Sequence, residues 1–125
     1  MKRILVVDDD SSVLHVVTRA LETYDLMVAR DGVEALALAR TQPTLDLLIT
    51  DFLMPEMTGD ELIARLREQR PNLKALVITG HFEILDRESP EWWRNEPHLL
   101  KPFRVQALRD VVESLIGEGT GGRPS

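Results

Sequence analysis

Five polar residues with the side chains that phosphoryl transfer needs each follow a short apolar run in this sequence. They are Asp8, Asp9, Asp51, Thr79 and Lys101. Carboxylate oxygens are hard ligands that suit Mg²⁺, and a carboxylate can also attack phosphorus as a nucleophile. A hydroxyl and an amine can donate hydrogen bonds to phosphoryl oxygens as negative charge develops on them. These residue types indicate phosphoryl-transfer chemistry, provided that the fold brings them together.

The apolar runs before these residues are typical of buried strands in a parallel sheet. Helical periodicity separates the runs, and this alternation favours an α/β fold. Ligands of such sheets bind outside the carboxyl ends of the strands, so polar residues at those ends are expected in one pocket. The predicted strands are Arg3–Val7, Leu26–Ala29, Asp46–Thr50, Leu73–Thr79 and Leu99–Leu100.

The helices between the strands are predicted from apolar spacing, capping residues and breakers. The first begins at Asp10 or at one of the two serines after it and ends near Tyr24. The last spans Arg104–Ile116, with Val105 in its apolar stripe. Pro90 interrupts the pattern before the fifth strand, so a loop or an irregular turn over Phe82–Glu88 and a short helix over Pro90–Asn95 are predicted there.

Composition limits both the architecture and the classes of partner. A length of 125 residues with 43% hydrophobic content fits one domain, predicted over residues 1–116, and the Gly-rich segment 117–125 is predicted to be a flexible tail. A net charge of −6 disfavours nucleic acid and anionic membranes as partners. No run approaches the roughly 18 apolar residues of a membrane span. Since Cys is absent, the chain is compatible with a reducing compartment, and a cytoplasmic location is predicted.

The strand-end residues can be given separate roles from their chemistry alone. Carboxylates about 4 Å apart repel each other by roughly 4 kcal/mol at an effective dielectric near 20, so a cation must offset them. Magnesium is the natural choice for oxygen ligands. Asp51 stands alone after its strand and is the best candidate nucleophile, which leaves Asp8 and Asp9 as metal ligands. Thr79 and Lys101 would then contact the phosphoryl oxygens.

Four motifs resemble the receiver domain of two-component response regulators, and together they cover nearly the whole chain. The motifs are Leu5-Val6-Val7-Asp8-Asp9-Asp10, Asp51-Phe52-Leu53-Met54-Pro55 with Gly59, Val77-Ile78-Thr79-Gly80 and Lys101-Pro102-Phe103. Any one of them is a weak signal, but their order and spacing make the combination specific. The resemblance implies a (βα)5 flavodoxin-like three-layer sandwich, with a five-stranded parallel sheet of strand order 2-1-3-4-5.

The resemblance also implies a phosphoryl acceptor, its cofactor and its donor. Asp51 would accept a phosphoryl group from a phosphohistidine on a sensor histidine kinase or a histidine phosphotransfer protein. Asp9 and Asp51 would bind Mg²⁺ directly, Asp8 through water and Leu53 through its backbone carbonyl. The peptide bond before Pro102 would be cis. Such a chain is a switch that dephosphorylates itself rather than a turnover enzyme acting on an external substrate.

A conformational switch is a further implication of the resemblance. Thr79 would move towards the phosphoryl group, together with a planar side chain that is usually Tyr or Phe. His98 occupies that place here, and its imidazole is also planar. The change would be transmitted to an output protein, not identified by the sequence, through the surface of the fourth helix, fifth strand and fifth helix.

Three other interpretations remain open at this stage. A small phosphatase similar to haloacid dehalogenases would use Asp8 as nucleophile and Asp10 as acid or base, with Glu83 and Asp86 as its further acidic pair. A flavodoxin-like cofactor binder would have to place a phosphate against three aspartates. A receiver that does not signal by phosphorylation would not need the complete set of site residues. The sequence also does not distinguish a stand-alone receiver from a fragment of a longer regulator or hybrid kinase.

Overall fold

A computed structural model of the chain describes residues 1–80, 87 and 96–117. Its strands are β1 (Arg3–Val7), β2 (Asp25–Ala29), β3 (Leu47–Asp51), β4 (Lys74–Thr79) and β5 (His98–Leu100). Its helices are α1 (Ser11–Ala20), α2 (Gly32–Arg40), α3 (Gly59–Gln69) and the C-terminal helix (Val105–Ile116). None of the helices in this part of the chain has the length and apolar character needed to cross a bilayer.

The five strands form one parallel sheet in the order β2-β1-β3-β4-β5, which confirms the predicted fold class and strand order. Alternate strand residues point to opposite faces, so Leu5 and Val7 enter one core while Ile4 and Val6 enter the other. The first core also takes residues of α2 and α3, and the second takes residues of α1 and the C-terminal helix. Helices therefore cover both faces of the sheet, in three layers.

One predicted helix boundary is wrong. Helix α1 ends at Ala20 rather than near Tyr24, because Leu21 leaves the helical conformation and the Tyr24 N–H turns back to the Leu21 carbonyl before β2. Val105 is 39% exposed, although it lies in the apolar stripe of the C-terminal helix. Apolar spacing shows which face of a helix is apolar, but the contacts made by its first turn depend on the neighbouring segments.

Several predicted segments lie partly or wholly outside the described residues. They include the helix over Pro90–Asn95 and the tail from residue 118 onwards. Within the loop or irregular turn predicted over Phe82–Glu88, Arg87 is described, and it is helical, which contradicts a loop at that position.

The end of the C-terminal helix is fastened to the amino-terminal edge of the sheet. Tyr24, just before β2, donates its hydroxyl hydrogen to the Gly117 carbonyl at 2.7 Å. Lys74, the first residue of β4, donates through Nζ to the Leu115 carbonyl at 2.6 Å. These two bonds place the last helical residues beside the starts of the strands.

The starts of β1 and β3 are joined by a reciprocal pair of hydrogen bonds between Arg3 and Asp46. The Arg3 N–H donates to Asp46 Oδ2 at 2.7 Å, and the Asp46 N–H donates to the Arg3 carbonyl at 2.9 Å.

We expect Asp46→Ala to lower the free energy of unfolding by about 1 to 2 kcal/mol, because the partly buried Arg3 N–H loses its acceptor. Urea denaturation measures this change. Asp46→Asn keeps an oxygen acceptor and is the matched control; an equal loss in both variants would contradict the explanation.

Candidate functional site

Three aspartates meet at the carboxyl ends of β1 and β3. Asp8 and Asp51 are buried, whereas Asp9 is exposed. One carboxylate oxygen from each lies within 4.8 Å of the other two. The adjacency of β1 and β3 produces this cluster, since Val7 pairs with Thr50 and the aspartates follow directly in each chain segment. Residues distant in sequence thus converge on one edge of the sheet.

Backbone amides orient the two buried carboxylates. Asp8 Oδ1 accepts a hydrogen bond from the Asp10 N–H at 2.9 Å, and Asp51 Oδ1 accepts one from the Phe52 N–H at 2.8 Å. Asp10 is itself the N-cap of α1, where its side chain accepts from the Ser12 N–H. The turn that starts α1 therefore also fixes the Asp8 carboxylate.

Lys101 places its ammonium group between the buried carboxylates. Its Nζ lies 3.0 Å from Asp8 Oδ2 and 3.3 Å from Asp51 Oδ2. The Lys101 N–H donates to the Thr79 carbonyl at 2.8 Å, which attaches the end of β5 to the end of β4. The peptide bond between Lys101 and Pro102 is cis, as predicted.

The site is electrostatically unfavourable for the Asp51 carboxylate. Burial raises the pKa of Asp51 above its ordinary value and the neighbouring Asp8 charge adds to the rise, while Lys101 and the Phe52 N–H oppose it. Burial alone would lower the pKa of Lys101, but its hydrogen bond to Asp8 and the attraction of both carboxylates outweigh that effect and raise it. One ammonium group therefore leaves the negative charge only partly offset.

Because the negative charge of the buried carboxylates is only partly offset by Lys101, we predict that Asp51→Asn stabilises the metal-free protein at pH 7. The pKa of Asp51 is higher in the folded than in the unfolded chain, so the ionised carboxylate costs folding free energy above the folded pKa and nothing below the unfolded value of 3.8. We expect Asp51→Asn to raise the free energy of unfolding at pH 7, and this gain to disappear as the pH falls towards 4. Urea denaturation in the presence of chelator at both pH values measures it. A gain that is equal at the two pH values would indicate another cause.

The other predicted site residues lie on neighbouring segments. Thr79 is fully buried at the end of β4, one position beyond the residue that pairs with Asp51. Leu53 follows Asp51 by two positions, and its partly buried side chain packs against the α2–α3 side of the core. His98 begins β5, is half-buried, and has Nδ1 3.3 Å from the Glu96 carbonyl oxygen. The proposed roles of these residues remain predictions.

Gly59 has a role at the site that sequence reasoning did not assign to it. Its N–H donates to the Phe52 carbonyl at 2.7 Å, and a Cβ at this position would lie 2.5 Å from the Asp51 carbonyl oxygen. The start of α3 can approach the chain after Asp51 only because residue 59 has no side chain. Its place in the receiver-like motif was the available signal, but motif spacing alone does not give the distance.

The acidic cluster fits a divalent cation. Its donor set consists of the carboxylates of Asp8, Asp9 and Asp51, all oxygen ligands, and two of them are largely removed from solvent. Hard cations such as Mg²⁺ and Ca²⁺ prefer such donors, whereas softer metals prefer the nitrogen and sulfur ligands absent from this group. The three aspartates can therefore hold a metal ion.

Comparisons with known proteins agree with the fold. Residues 4–113 match the family model described as the response regulator receiver domain. The chain is 34% identical over 118 residues to the response regulator receiver protein CpdR of Brucella abortus, an alignment that covers 93% of this chain and 98% of that protein. It is 30% identical over 127 residues to a chemotaxis protein CheY homolog of Campylobacter jejuni, with 95% of each chain covered.

Longer relatives and solved structures also include receiver proteins that resemble this chain. The alignment with the regulatory protein PhoP of Bacillus subtilis, at 31% identity, covers 99% of this chain but 52% of that protein. A receiver domain protein from Clostridium thermocellum superposes with a TM-score of 0.81 at 26% identity, covering 93% of this chain and 94% of that one. CheY4 of Vibrio cholerae gives 0.80 at 29% identity, covering 92% and 98%. The chain belongs to the response regulator receiver domain family and is a phospho-accepting receiver domain of two-component signalling.

Proposed function

We propose that Asp51 is the phosphoryl acceptor, that Mg²⁺ is the resident cation, and that the donor is a phosphohistidine on a sensor histidine kinase or histidine phosphotransfer protein. The observation that carries the proposal is the position of Lys101, whose ammonium group contacts both Asp8 and Asp51 where β1 and β3 end. An ammonium group at that point is placed to neutralise charge beside the acceptor.

The Asp51 carboxylate would act as the nucleophile. One of its oxygens forms a bond to phosphorus while the bond from phosphorus to the histidine nitrogen breaks, and that nitrogen keeps the electron pair and takes up a proton. Asp8, Asp9, Asp51 and the Leu53 carbonyl would hold Mg²⁺, which when bound supplies positive charge against the phosphoryl oxygens. Lys101 and Thr79 would contact those oxygens, and the Phe52 N–H keeps the acceptor oriented.

Phosphorylation would act as a switch by redirecting Lys101 and Thr79. Before transfer, Lys101 is shared between two carboxylates. A phosphoryl group adds negative charge on the Asp51 side and offers the ammonium group a new partner. Because the Lys101 N–H is bonded to the Thr79 carbonyl, movement of either residue is passed to both β4 and β5. Reversal of a 1:99 equilibrium needs about 5.5 kcal/mol, which a few charge-assisted contacts can supply.

The output of the switch would use β5, the C-terminal helix and the helix predicted before β5, with His98 as the planar partner of Thr79. An output protein that recognises this surface would complete the pathway, and nucleic acid and membrane lipid are not proposed as partners. The phosphoryl group would leave by hydrolysis, so the protein is not proposed to turn over an external substrate. The receiver unit would span residues 1–116, and its location would be the cytoplasm. The predicted flexible tail of residues 117–125 would become flexible only after Gly117, because the Gly117 carbonyl accepts a hydrogen bond from Tyr24.

The alternative interpretations now carry less support. A haloacid dehalogenase-like phosphatase would leave Asp51 without a role, although Asp51 is buried and paired with Lys101. The further acidic residues that such an enzyme would need, Glu83 and Asp86, lie outside the described residues. A flavodoxin-like cofactor binder would have to place a phosphate against the acidic cluster.

Intact mass after incubation with acetyl phosphate and Mg²⁺ tests the proposal. We expect one added phosphoryl group on the wild-type protein, none on Asp51→Asn, and none when a chelator removes Mg²⁺. Asp110→Asn, an exposed acid on the C-terminal helix, is the matched control and should be phosphorylated normally. Samples quenched over a series of short times exclude rapid turnover. An adduct on Asp51→Asn, or none on the wild-type protein, would contradict the assignment of Asp51.

A further inference from the structure

A basic cleft lies between α2 and α3, remote from the acidic cluster. Both helices run from the carboxyl edge of the sheet towards its amino-terminal edge, and the cleft is at their carboxyl-terminal halves. Its volume is about 290 Å³. The cleft has an apolar floor and an arginine rim; the floor and rim residues are Leu36, Ala39, Leu66, Arg40, Arg65 and Arg70.

The charge of this cleft is opposite in sign to the net charge of the chain. Three guanidinium groups and one carboxylate, that of Glu68, line it, although the whole sequence carries −6. Within residues 1–80, 87 and 96–117, the ion pairs involve Arg3, Arg67 and Lys101, and none involves Arg40, Arg65 or Arg70. Two of the unpaired arginines, Arg40 and Arg65, are exposed. The cleft therefore presents cationic groups that the described part of the protein does not neutralise.

Arg70 is held in place by backbone carbonyls at the end of α2. Its Nη2 donates to the carbonyls of Ala39 and Gln42, at 2.8 and 2.5 Å, at the end of α2. Its Nε and Nη1 make no hydrogen bond within the described residues. A side chain fixed in this way loses less conformational entropy when a ligand binds.

Helix dipoles account for some of these arginines but not for all. Arg40 lies in the last turn of α2 and Arg70 binds carbonyls at the end of that helix, positions where positive charge is favourable. Arg65 lies before the last turn of α3, so the dipole of α3 does not require it. Its guanidinium group faces the same cleft as the other two.

We propose that this cleft binds an acidic segment of a partner protein, with Arg40, Arg65 and Arg70 contacting its carboxylates and the apolar floor contacting an intervening apolar side chain. The volume of about 290 Å³ is just below the roughly 300 to 1,000 Å³ of small-molecule pockets, which favours side chains over a nucleotide. Arg40 and Arg65 can form bidentate contacts with carboxylates, and Arg70 can donate through Nε or Nη1. Because the surrounding chain is acidic and salt screens charges beyond about 8 Å, the attraction acts only at short range.

A titration followed by amide chemical shifts tests this proposal on the unphosphorylated full-length chain. The probe is a blocked peptide of sequence Glu-Leu-Glu-Glu-Leu-Glu, and the control peptide has glutamine in place of every glutamate. We expect the acidic peptide to shift amides of α2 and α3 around the cleft, and the neutral peptide to leave them unchanged. Equal shifts with both peptides would overturn the proposal.

Two double variants separate the cleft from general charge attraction. The Arg40→Gln, Arg65→Gln variant should bind the acidic peptide about tenfold more weakly, equivalent to about 1.4 kcal/mol for the two contacts. The Arg19→Gln, Arg30→Gln variant loses the same charge from exposed positions outside the cleft and should bind as the wild type does. Equal weakening in both variants overturns the proposal. Inorganic phosphate that shifts the same amides when the peptide does not would assign the cleft to a small anion and also overturn it.

Discussion

Lys101→Met is expected to lower the free energy of unfolding of the metal-free protein by about 2 to 3 kcal/mol at pH 7. The substitution leaves the buried Asp8 and Asp51 carboxylates without the ammonium group that contacts both of them. Breaking a fully buried ion pair costs about 3 to 5 kcal/mol. The lower value applies here because 22% of the Lys101 side chain remains exposed to water.

The loss of unfolding free energy in Lys101→Met should become smaller as the pH falls. Lys101 is one of the groups that lower the pKa of Asp51, so its removal raises that pKa further above the unfolded value of 3.8. The ionised carboxylate then costs more above the folded pKa and nothing below the unfolded value. Urea denaturation should therefore show the difference from wild type shrinking as the pH falls from 7 towards 4.

Two controls identify the source of the effect. Adding Asp51→Asn to Lys101→Met removes one of the uncompensated charges and should restore most of the lost stability. Mg²⁺ should also restore part of it, because a cation held by the carboxylates supplies the missing positive charge. A loss that neither pH, Asp51→Asn nor Mg²⁺ reduces would contradict the electrostatic explanation.

Gly59→Ala is expected to destabilise the fold by about 3 kcal/mol and to slow phosphorylation of Asp51. The new Cβ would lie 2.5 Å from the Asp51 carbonyl oxygen and 3.1 Å from the Phe52 Cα, and both are backbone atoms that cannot rotate away. Overpacking of this kind costs about 1 to 3 kcal/mol, and here it also strains the hydrogen bond from Gly59 to the Phe52 carbonyl. The displaced backbone carries the acceptor carboxylate, so stability and the rate of phosphorylation should change together.

Two other glycines provide a graded comparison. Among the described residues, the atom nearest to a Cβ at Gly80 would be the Lys101 Cβ at 3.7 Å, so Gly80→Ala should change stability by less than about 0.5 kcal/mol. A Cβ at Gly32 would meet Met57 Sδ at 2.6 Å, and that flexible side chain can move. Urea denaturation and the initial rate with acetyl phosphate should rank Gly59→Ala as the most damaging of the three. A Gly59→Ala protein as stable as the Gly80→Ala protein would refute the steric explanation.

The general position of the site was predictable because it depends on a rule of topology. Apolar runs showed where strands end, and parallel strands end at a common edge, so Asp8, Asp51 and Lys101 were expected to lie close together. The structure brings these three residues into contact. The strand order came from the resemblance to receivers, since apolar patterns do not state which strands are neighbours.

Other features depend on distances that no local pattern contains. The end of α1 at Ala20 is decided by how the chain turns towards β2. Arg67, on α3, donates to the Leu73 carbonyl and to Glu96 in a different segment, a set of contacts that requires the whole fold. The close approach of Gly59 to the Asp51 carbonyl similarly arises only when α3 packs against the end of β3.

The bonds that fasten the end of the C-terminal helix determine how this protein can be attached to other molecules. Tyr24 and Lys74 hold the carbonyls of Gly117 and Leu115 beside the starts of β2 and β4, at the edge of the sheet opposite Asp51. Gly117, beyond which a fluorescent protein, an affinity tag or a sensor surface would be joined, lies at that opposite edge. A carboxyl-terminal fusion therefore leaves the approach to the acceptor open, which makes it the preferred design for binding measurements with a phosphoryl donor.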